Sequence, residues 1–176
     1  TTNTVLSRFD NAASVTYQGF ELETQYVFNE YFRMFFNYGS LDAEYDEFET
    51  DINPNDGVDI VEDGSYLNPR NAPEFTWGVG GTLTVPMAAG TLEVFAKYSR
   101  IDELDASLLN LRQAKVEERE DVAASIGYYT DNWSVVAFGK NLTDERFEVF
   151  IPIATLFAAG SVNRPRTYGV EFSYMF

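Results

Sequence analysis

Apolar and polar residues alternate along much of the chain with a period of two. In residues 73–85, for example, Phe75, Trp77 and Val79 share one parity and alternate with Thr76. Successive side chains of a β-strand point to opposite faces, so this pattern predicts strands with one apolar and one mostly polar face. The alternation recurs in seven segments, which are 15–28, 31–45, 73–85, 91–101, 119–130, 133–142 and 166–176. The sequence therefore predicts an all-β protein.

Two of the predicted strands interrupt the alternation. Phe35 lies on the otherwise polar parity of segment 31–45. In segment 133–142, Val136 and Phe138 lie opposite the face that begins with Trp133. We take the face of Trp133 as the apolar one.

The connections between the predicted strands alternate between short and long. Short turns fall near 29–30, 86–90 and 131–132, and long connections fall at about 46–72, 102–118 and 143–164. In an antiparallel up-and-down meander, this order places every short turn on one side and every long loop on the other. Outer-membrane β-barrels have this asymmetry. The predicted strands have roughly 10–14 residues, compared with ~9–11 for a strand that crosses a bilayer and ~5–6 for an average strand.

Composition narrows the functional classes. The net charge of −16 argues against nucleic-acid binding, which requires clustered Lys and Arg. The chain contains no cysteine and no histidine, so it predicts no disulfide and no His-dependent catalytic dyad. No apolar run approaches the ~20 residues of a membrane-spanning helix. Mild hydropathy is also typical of membrane barrels, because only alternate residues face lipid.

Aromatic residues are abundant, with 15 Phe, 11 Tyr and 2 Trp, and many lie near the predicted short turns. Those near the turns are Tyr26, Phe28, Tyr31, Phe32, Tyr128, Tyr129, Trp133, Tyr174 and Phe176. Aromatic girdles at a membrane interface have this distribution, and so does hairpin-end packing in a soluble β-sandwich. Together with the loop asymmetry, the aromatics favour about seven strands of an antiparallel, up-and-down transmembrane β-barrel.

This interpretation assigns each strand residue to lipid or to the barrel lumen. The predicted lipid-facing residues are Phe20, Leu22, Tyr26, Phe32, Met34, Phe36, Phe75, Trp77, Val79, Leu83, Leu92, Val94, Tyr98, Val122, Ile126, Tyr128, Trp133, Tyr168, Val170, Phe172, Tyr174 and Phe176. The predicted lumen-facing residues are Glu21, Glu23, Arg33, Glu74, Glu93, Lys97 and Glu171. The lumen-facing set could line a translocation path, but a polar, hydrated interior explains it equally.

Several segments resemble the C-terminal part of TonB-dependent outer-membrane receptors. They read YQGFELETQYVF (17–28), NPRNAPEFTWGVGGTLTV (68–85), ASIGYYTDNWSVVAFGKNLTDERF (124–147) and RPRTYGVEFSYMF (164–176). The GKNLTDE segment and the terminal aromatic strand are the most specific. The resemblance covers most of residues 15–176, with loops 46–67 and 102–118 unmatched.

The resemblance implies a barrel of 22 strands around a plug domain. Residues 1–176 would then be the C-terminal portion of the barrel, with the plug and the earlier strands upstream. It further implies that the protein lies in the bacterial outer membrane, in contact with lipid and lipopolysaccharide. The implied ligand is a small molecule such as a ferric siderophore, vitamin or carbohydrate. A TonB-type protein would supply energy through the upstream part. The terminal strand resembles the signal that the barrel-assembly machinery reads.

Two other classes remain open. A passive porin or small adhesin-type barrel would need neither plug nor energy coupling. A soluble β-sandwich or lipocalin-like binder would turn its apolar strand faces inward. The sequence predicts no catalytic residue, no cofactor and no resident metal.

The acidic segment 42–63 is predicted to be a solvated loop, because blocks of like charge are usually solvated. Its acidic residues are Asp42, Glu44, Asp46, Glu47, Glu49, Asp51, Asp56, Asp59, Glu62 and Asp63. Asp51, Asn53, Asn55, Asp59 and Glu62 have the spacing of a calcium-binding loop. The required glycine comes one residue late, at Gly57, so calcium binding is the weaker alternative.

Two further motifs have simple structural interpretations. Asn141-Leu-Thr143 matches a glycosylation acceptor, which we interpret as coincidence because the family resemblance already explains the segment. Basic residues in region 100–121 are predicted to form surface ion pairs with neighbouring carboxylates. They are Arg100, Arg112, Lys115 and Arg119.

Overall fold

The computed structural model describes residues 13–52, 60–150, 153–154, 157–158 and 160–176. Seven long strands account for most of these residues. They are β1 (Ala13–Val27), β2 (Phe32–Thr50), β4 (Phe75–Met87), β5 (Gly90–Ile101), β8 (Arg119–Tyr129), β9 (Trp133–Lys140) and β14 (Thr167–Tyr174). Shorter elements lie in the long connections: β3 (Glu62–Asp63), β6 (Leu104–Asp105), the 3₁₀ turn η1 (Arg112–Ala114), β7 (Lys115–Val116), β10 (Glu148–Phe150), β11 (Ile153–Ala154), β12 (Phe157–Ala158) and β13 (Ser161–Val162).

The seven long strands form one antiparallel sheet in the order β1-β2-β4-β5-β8-β9-β14. Each long strand pairs with the long strand before it in the chain, so the sheet is an up-and-down meander. β3 extends the sheet beside the end of β2. The predicted all-β, up-and-down architecture is therefore confirmed. No helix among the described residues is long and apolar enough to cross a membrane.

The ladder register separates the side chains onto two faces. One row across the sheet joins Phe36, Val79, Tyr98 and Val122, each paired with the next. Paired residues of an antiparallel ladder share a face, so this row defines what we call the apolar face. The adjacent row begins at Phe35 and runs through Gly80 and Lys97 to Ala123 on what we call the polar face.

The sheet is a single layer without a conventional core. Among the described residues, no large side chain is fully buried. On β14, Tyr168, Val170 and Phe172 remain 78%, 72% and 65% exposed on the apolar face. Contiguous apolar surface of this extent is rare on water-soluble monomers and marks contact with a partner or a membrane.

Glycines explain the aromatic residues that interrupt the sequence pattern. Phe35 lies on the polar face, where its ring stacks with that of Phe95 at a centroid distance of 6.5 Å. A Cβ atom at Gly80 would lie 2.5 Å from the Phe35 ring, so Gly80 provides the space that this ring occupies. Phe138 lies over Gly169 in the same way, at 3.0 Å from the position of a Cβ atom.

Several predicted strand boundaries were wrong by two or more residues, and the structure explains those of β2 and β9. β2 continues five residues beyond the predicted end at residue 45, because its upper part pairs with β1 as far as Ala13 and Phe48. Acidic residues 42–50 of the predicted loop therefore lie on a strand. β9 ends at Lys140 rather than at residue 142, because Asn141 takes a left-handed conformation with φ of 49°.

Candidate functional site

The predicted lipid-facing residues share one surface of the sheet. Twenty-one of the 22 lie in the seven long strands, and the register places all of these on the apolar face. Phe176 follows the end of β14. Six of the seven predicted lumen-facing residues lie on the polar face, and Glu74 immediately precedes β4. Which substance each face contacts remains a prediction.

The apolar face changes in composition toward both ends of the strands. Toward the long loops it includes charged residues: Arg100, the ladder partner of Trp77, pairs with Glu118 and lies 3.7 Å from Glu120. Toward the short turns it ends in aromatic pairs, such as Tyr128 and Trp133 with ring centroids 5.6 Å apart. A strand of 13 residues such as β4, tilted by ~45°, rises ~28 Å, close to the ~30 Å of a hydrocarbon core.

A cleft of about 630 Å³ lies on the long-loop side, between the upper half of β2 and two long loops. We name these the 64–75 loop and the 102–118 loop by their residues. The charged residues of the cleft lining are Asp42, Glu44, Glu74, Asp102, Glu103, Asp105 and Lys115. Six carboxylates against one ammonium give the cleft a negative charge.

Lys115 is neutralised locally by Glu103. Its Nζ atom lies 2.6 Å from Glu103 Oε1, and this hydrogen bond raises the pKa of the Lys115 ammonium. The other carboxylates of the cleft keep its lining negatively charged. This negative charge favours cationic or hydrogen-bond-donating ligands over anions.

The 64–75 loop packs on the upper half of β2. The rings of Tyr45 and Phe48 are buried and stacked at 4.5 Å, and burial raises the pKa of Tyr45. The Gly64 amide donates a 2.7 Å hydrogen bond to the Phe48 carbonyl. Close contact with Phe48 at 3.1 Å leaves little space for a side chain at Gly64. These contacts anchor the loop to β2.

The 102–118 loop folds on itself. β6 and β7 form a two-residue ladder, and the Ala106 amide donates to the Ala114 carbonyl at 2.9 Å. Ala114 and Val116 are buried inside the loop. The sequence predicted a simple connection here and missed this hairpin, since its strands are only two residues long.

The GKNLTDE segment fastens the third long connection to the main sheet. Asn141 Nδ2 donates to the carbonyls of Glu145 and Arg164 at 2.9 and 3.0 Å, and Asn141 Oδ1 accepts from the backbone amide of Glu145 at 3.0 Å. Asn141 is only 6% exposed. Its carboxamide is thus fully used inside the protein, which agrees with the interpretation of the Asn-Leu-Thr match as coincidence.

Most of the basic residues of region 100–121 have acidic or aromatic partners. Arg100 pairs with Glu118 and Lys115 with Glu103, which confirms the ion-pair prediction for these two residues. Arg119 instead lies over the Phe147 ring, 5.5 Å from its centroid.

The calcium hypothesis receives no support from the described residues. Asn53, Asn55 and Asp59 lie outside the described part of the chain. Glu62 pairs with Thr50 in the short β2–β3 ladder. Within the described ranges, no group of three or more acidic, Cys or His side chains could hold a metal ion.

Comparison with known proteins identifies relatives by structure alone. No family model and no curated sequence matches the chain. The chain is similar in structure to the ferric yersiniabactin uptake receptor FyuA from Yersinia pestis, with a TM-score of 0.75 and 19% identity over 92% of this chain. It is also similar to the siderophore receptor PiuA from Acinetobacter baumannii, with a TM-score of 0.70 and 19% identity over 92% of the chain.

A third similar structure is BauA, the ferric preacinetobactin receptor from Acinetobacter baumannii, with a TM-score of 0.63 and 20% identity over 94% of this chain. The match covers 24% of FyuA, 22% of PiuA and 23% of BauA, so this chain spans about a quarter of each receptor. At such identities the likeness establishes fold. The chain therefore has the fold of one part of these siderophore receptors.

Proposed function

We propose that the chain is the C-terminal barrel portion of a TonB-dependent receptor that takes up a ferric siderophore across the bacterial outer membrane. One observation carries the proposal: a single-layer sheet with a continuous exposed apolar face has the fold of part of three siderophore receptors. Its apolar face would contact lipid and its polar face the lumen. The cleft and the long loops would face the cell exterior.

The open edges of the sheet support a larger barrel. Among the described residues, β1 and β14 are the edges, and a closed seven-stranded barrel would pair them with each other. β1 has 15 residues and β14 has 8, so almost half of β1 would lack a partner. Further strands between these edges would complete the ladder, as in the 22-stranded barrel that the family resemblance implies.

The remaining partners follow from the same proposal. Upstream residues would form the plug and contact the TonB-type energy-coupling protein. The barrel-assembly machinery would receive the terminal aromatic strand, and lipopolysaccharide would surround the charged upper limit of the apolar face. Of the ligand classes, a ferric siderophore is favoured, because PiuA is named a siderophore receptor and FyuA and BauA are named receptors of ferric yersiniabactin and ferric preacinetobactin.

Intact mass in the native source is the first test. We expect an outer-membrane extract to contain a polypeptide several times heavier than 19.9 kDa that carries the C-terminal peptide RTYGVEFSYMF. A membrane species near 20 kDa would support the passive small barrel and exclude the receptor. Recovery of the protein only from the soluble fraction would exclude the membrane location itself.

Uptake of labelled iron tests the transport step. Cells with the full-length gene should accumulate ⁵⁵Fe from a panel of ferric siderophores, and cells with the gene deleted should lose uptake of one of them. Collapse of the proton-motive force with an uncoupler should abolish that uptake, because the coupling energy comes from the inner membrane. Uptake that survives the uncoupler would contradict energy coupling and favour a passive pore.

A further inference from the structure

The two loops that wall the cleft are anchored separately but joined to each other. The 64–75 loop is held to Phe48 of β2, whereas the 102–118 loop pairs β6 with β7 and contains the buried Ala114 and Val116. The joint between the loops is made by polar groups. We name this set of cross-loop hydrogen bonds the latch.

Asn110 is the centre of the latch. The Asn68 amide donates to Asn110 Oδ1 at 2.6 Å, and Asn110 Nδ2 donates to the Asn68 carbonyl at 2.9 Å. The side-chain carboxamide thus imitates one residue of a β-ladder. Asn68 Nδ2 donates to Asp105 Oδ2 at 3.1 Å, and the Asn71 amide donates to the Asp105 carbonyl at 2.8 Å.

The backbone at Asn110 suits this role. Its φ angle of 47° is in the left-handed region, which Asn tolerates better than most residues. Besides its two bonds to Asn68, the carboxamide makes one longer bond, of 3.4 Å, to the Ser107 carbonyl of its own loop. Asn68 is exposed and Asn110 is only half-buried, so water competes for every bond of the latch. Such bonds are individually weak and open more readily than the loops themselves unfold.

We propose that the latch makes the two loops a single gate over the cleft, which opens by release of Asn110 while each loop stays folded. Asn68 and Asp105 both line the cleft, so the same residues that close the latch form the cleft walls. When the latch is closed, the two walls have a fixed separation. When it opens, the 64–75 wall stays with β2 and the 102–118 wall moves with its hairpin. The gate does not depend on which ligand enters.

Amide hydrogen exchange on the full-length protein in detergent micelles tests the gate. The key variant is Asn110→Gly, since glycine keeps the left-handed backbone without strain and removes the carboxamide. Loss of two hydrogen bonds should accelerate exchange of the Asn68 amide roughly 10- to 30-fold. The Asn71 amide, which Asn110 does not contact, should accelerate as well, because the latch opens as one unit.

The internal controls are the amides of Gly64 and Ala106, whose acceptors, the Phe48 carbonyl in β2 and the Ala114 carbonyl in the 102–118 loop, lie outside the latch. Their exchange rates should stay unchanged in Asn110→Gly. Leu108→Ala, at an exposed position of the same loop, should change none of the four rates. Acceleration at Asn68 alone would overturn the single gate, and acceleration at Gly64 and Ala106 would show loop unfolding instead of gating.

Discussion

At the scale of single residues, Gly80 contributes to stability because its lack of a side chain leaves room for the Phe35 ring. The Phe35 ring covers Gly80, and the backbone carbonyl of Ala96 approaches the same point to 2.8 Å. We expect Gly80→Val to lower the free energy of unfolding by about 1–3 kcal/mol, because the added methyl groups displace the ring. Urea titration of the full-length protein in lipid would measure this. Ala96→Val on the exposed apolar face is the matched control and should change stability by less than ~0.5 kcal/mol.

Asn141 permits a second residue-level prediction. Asn141→Gly retains the positive φ angle but leaves the Arg164 carbonyl and the Glu145 amide without their partners. We expect a loss of about 2–4 kcal/mol, since the variant removes three part-buried hydrogen bonds, each worth ~0.5–1.5 kcal/mol. The control Asn132→Gly lies in an exposed turn. Equal effects of the two variants would show that the Asn141 carboxamide contributes nothing specific.

At the scale of elements, alternation predicted which residues share a face but not where strands end. Local sequence determines parity, so the faces of the seven long strands could be assigned without the structure. The length of β2 depends on its pairing with β1, and the small hairpin β6–β7 depends on burial of Ala114 and Val116. These contacts join residues that are far apart in the sequence, so the local alternation of apolar and polar residues does not predict them. The cleft and the latch were missed for the same reason.

Two neighbouring positions on β14 decide what the apolar face touches. Val170 lies on the apolar face and Glu171 on the polar face. If lipid covers the apolar face, Val170→Arg should cost ~2–4 kcal/mol near the bilayer centre, whereas Glu171→Arg should be nearly neutral. Folding into vesicles, followed by the heat-dependent gel shift of the full-length protein, would measure the difference. Equal, small effects would place water on both faces and exclude the lipid contact.

At the scale of the whole molecule, the described sheet lacks the contacts that usually stabilise an isolated domain. It has two open edges among the described strands, no fully buried large side chain, and an apolar face without protein cover. The backbone groups of an edge strand inside a bilayer would lack hydrogen-bond partners, each at a cost of several kcal/mol. The unpaired edges and the uncovered apolar face are observed independently of any sequence resemblance. They predict how the isolated chain behaves.

We therefore expect residues 1–176, expressed alone, to aggregate in water and to gain no protected β-ladder in detergent. The proposed full-length receptor should fold in the same detergent, because its additional strands would pair with the edges of β1 and β14. Hydrogen exchange at β1 and β14 would compare the two chains directly, and the amides of β5, in the middle of the sheet, would report whether any ladder forms. A monodisperse, soluble 19.9 kDa monomer with slow exchange in β5 would contradict the barrel fragment, since such a protein must cover its apolar face by itself.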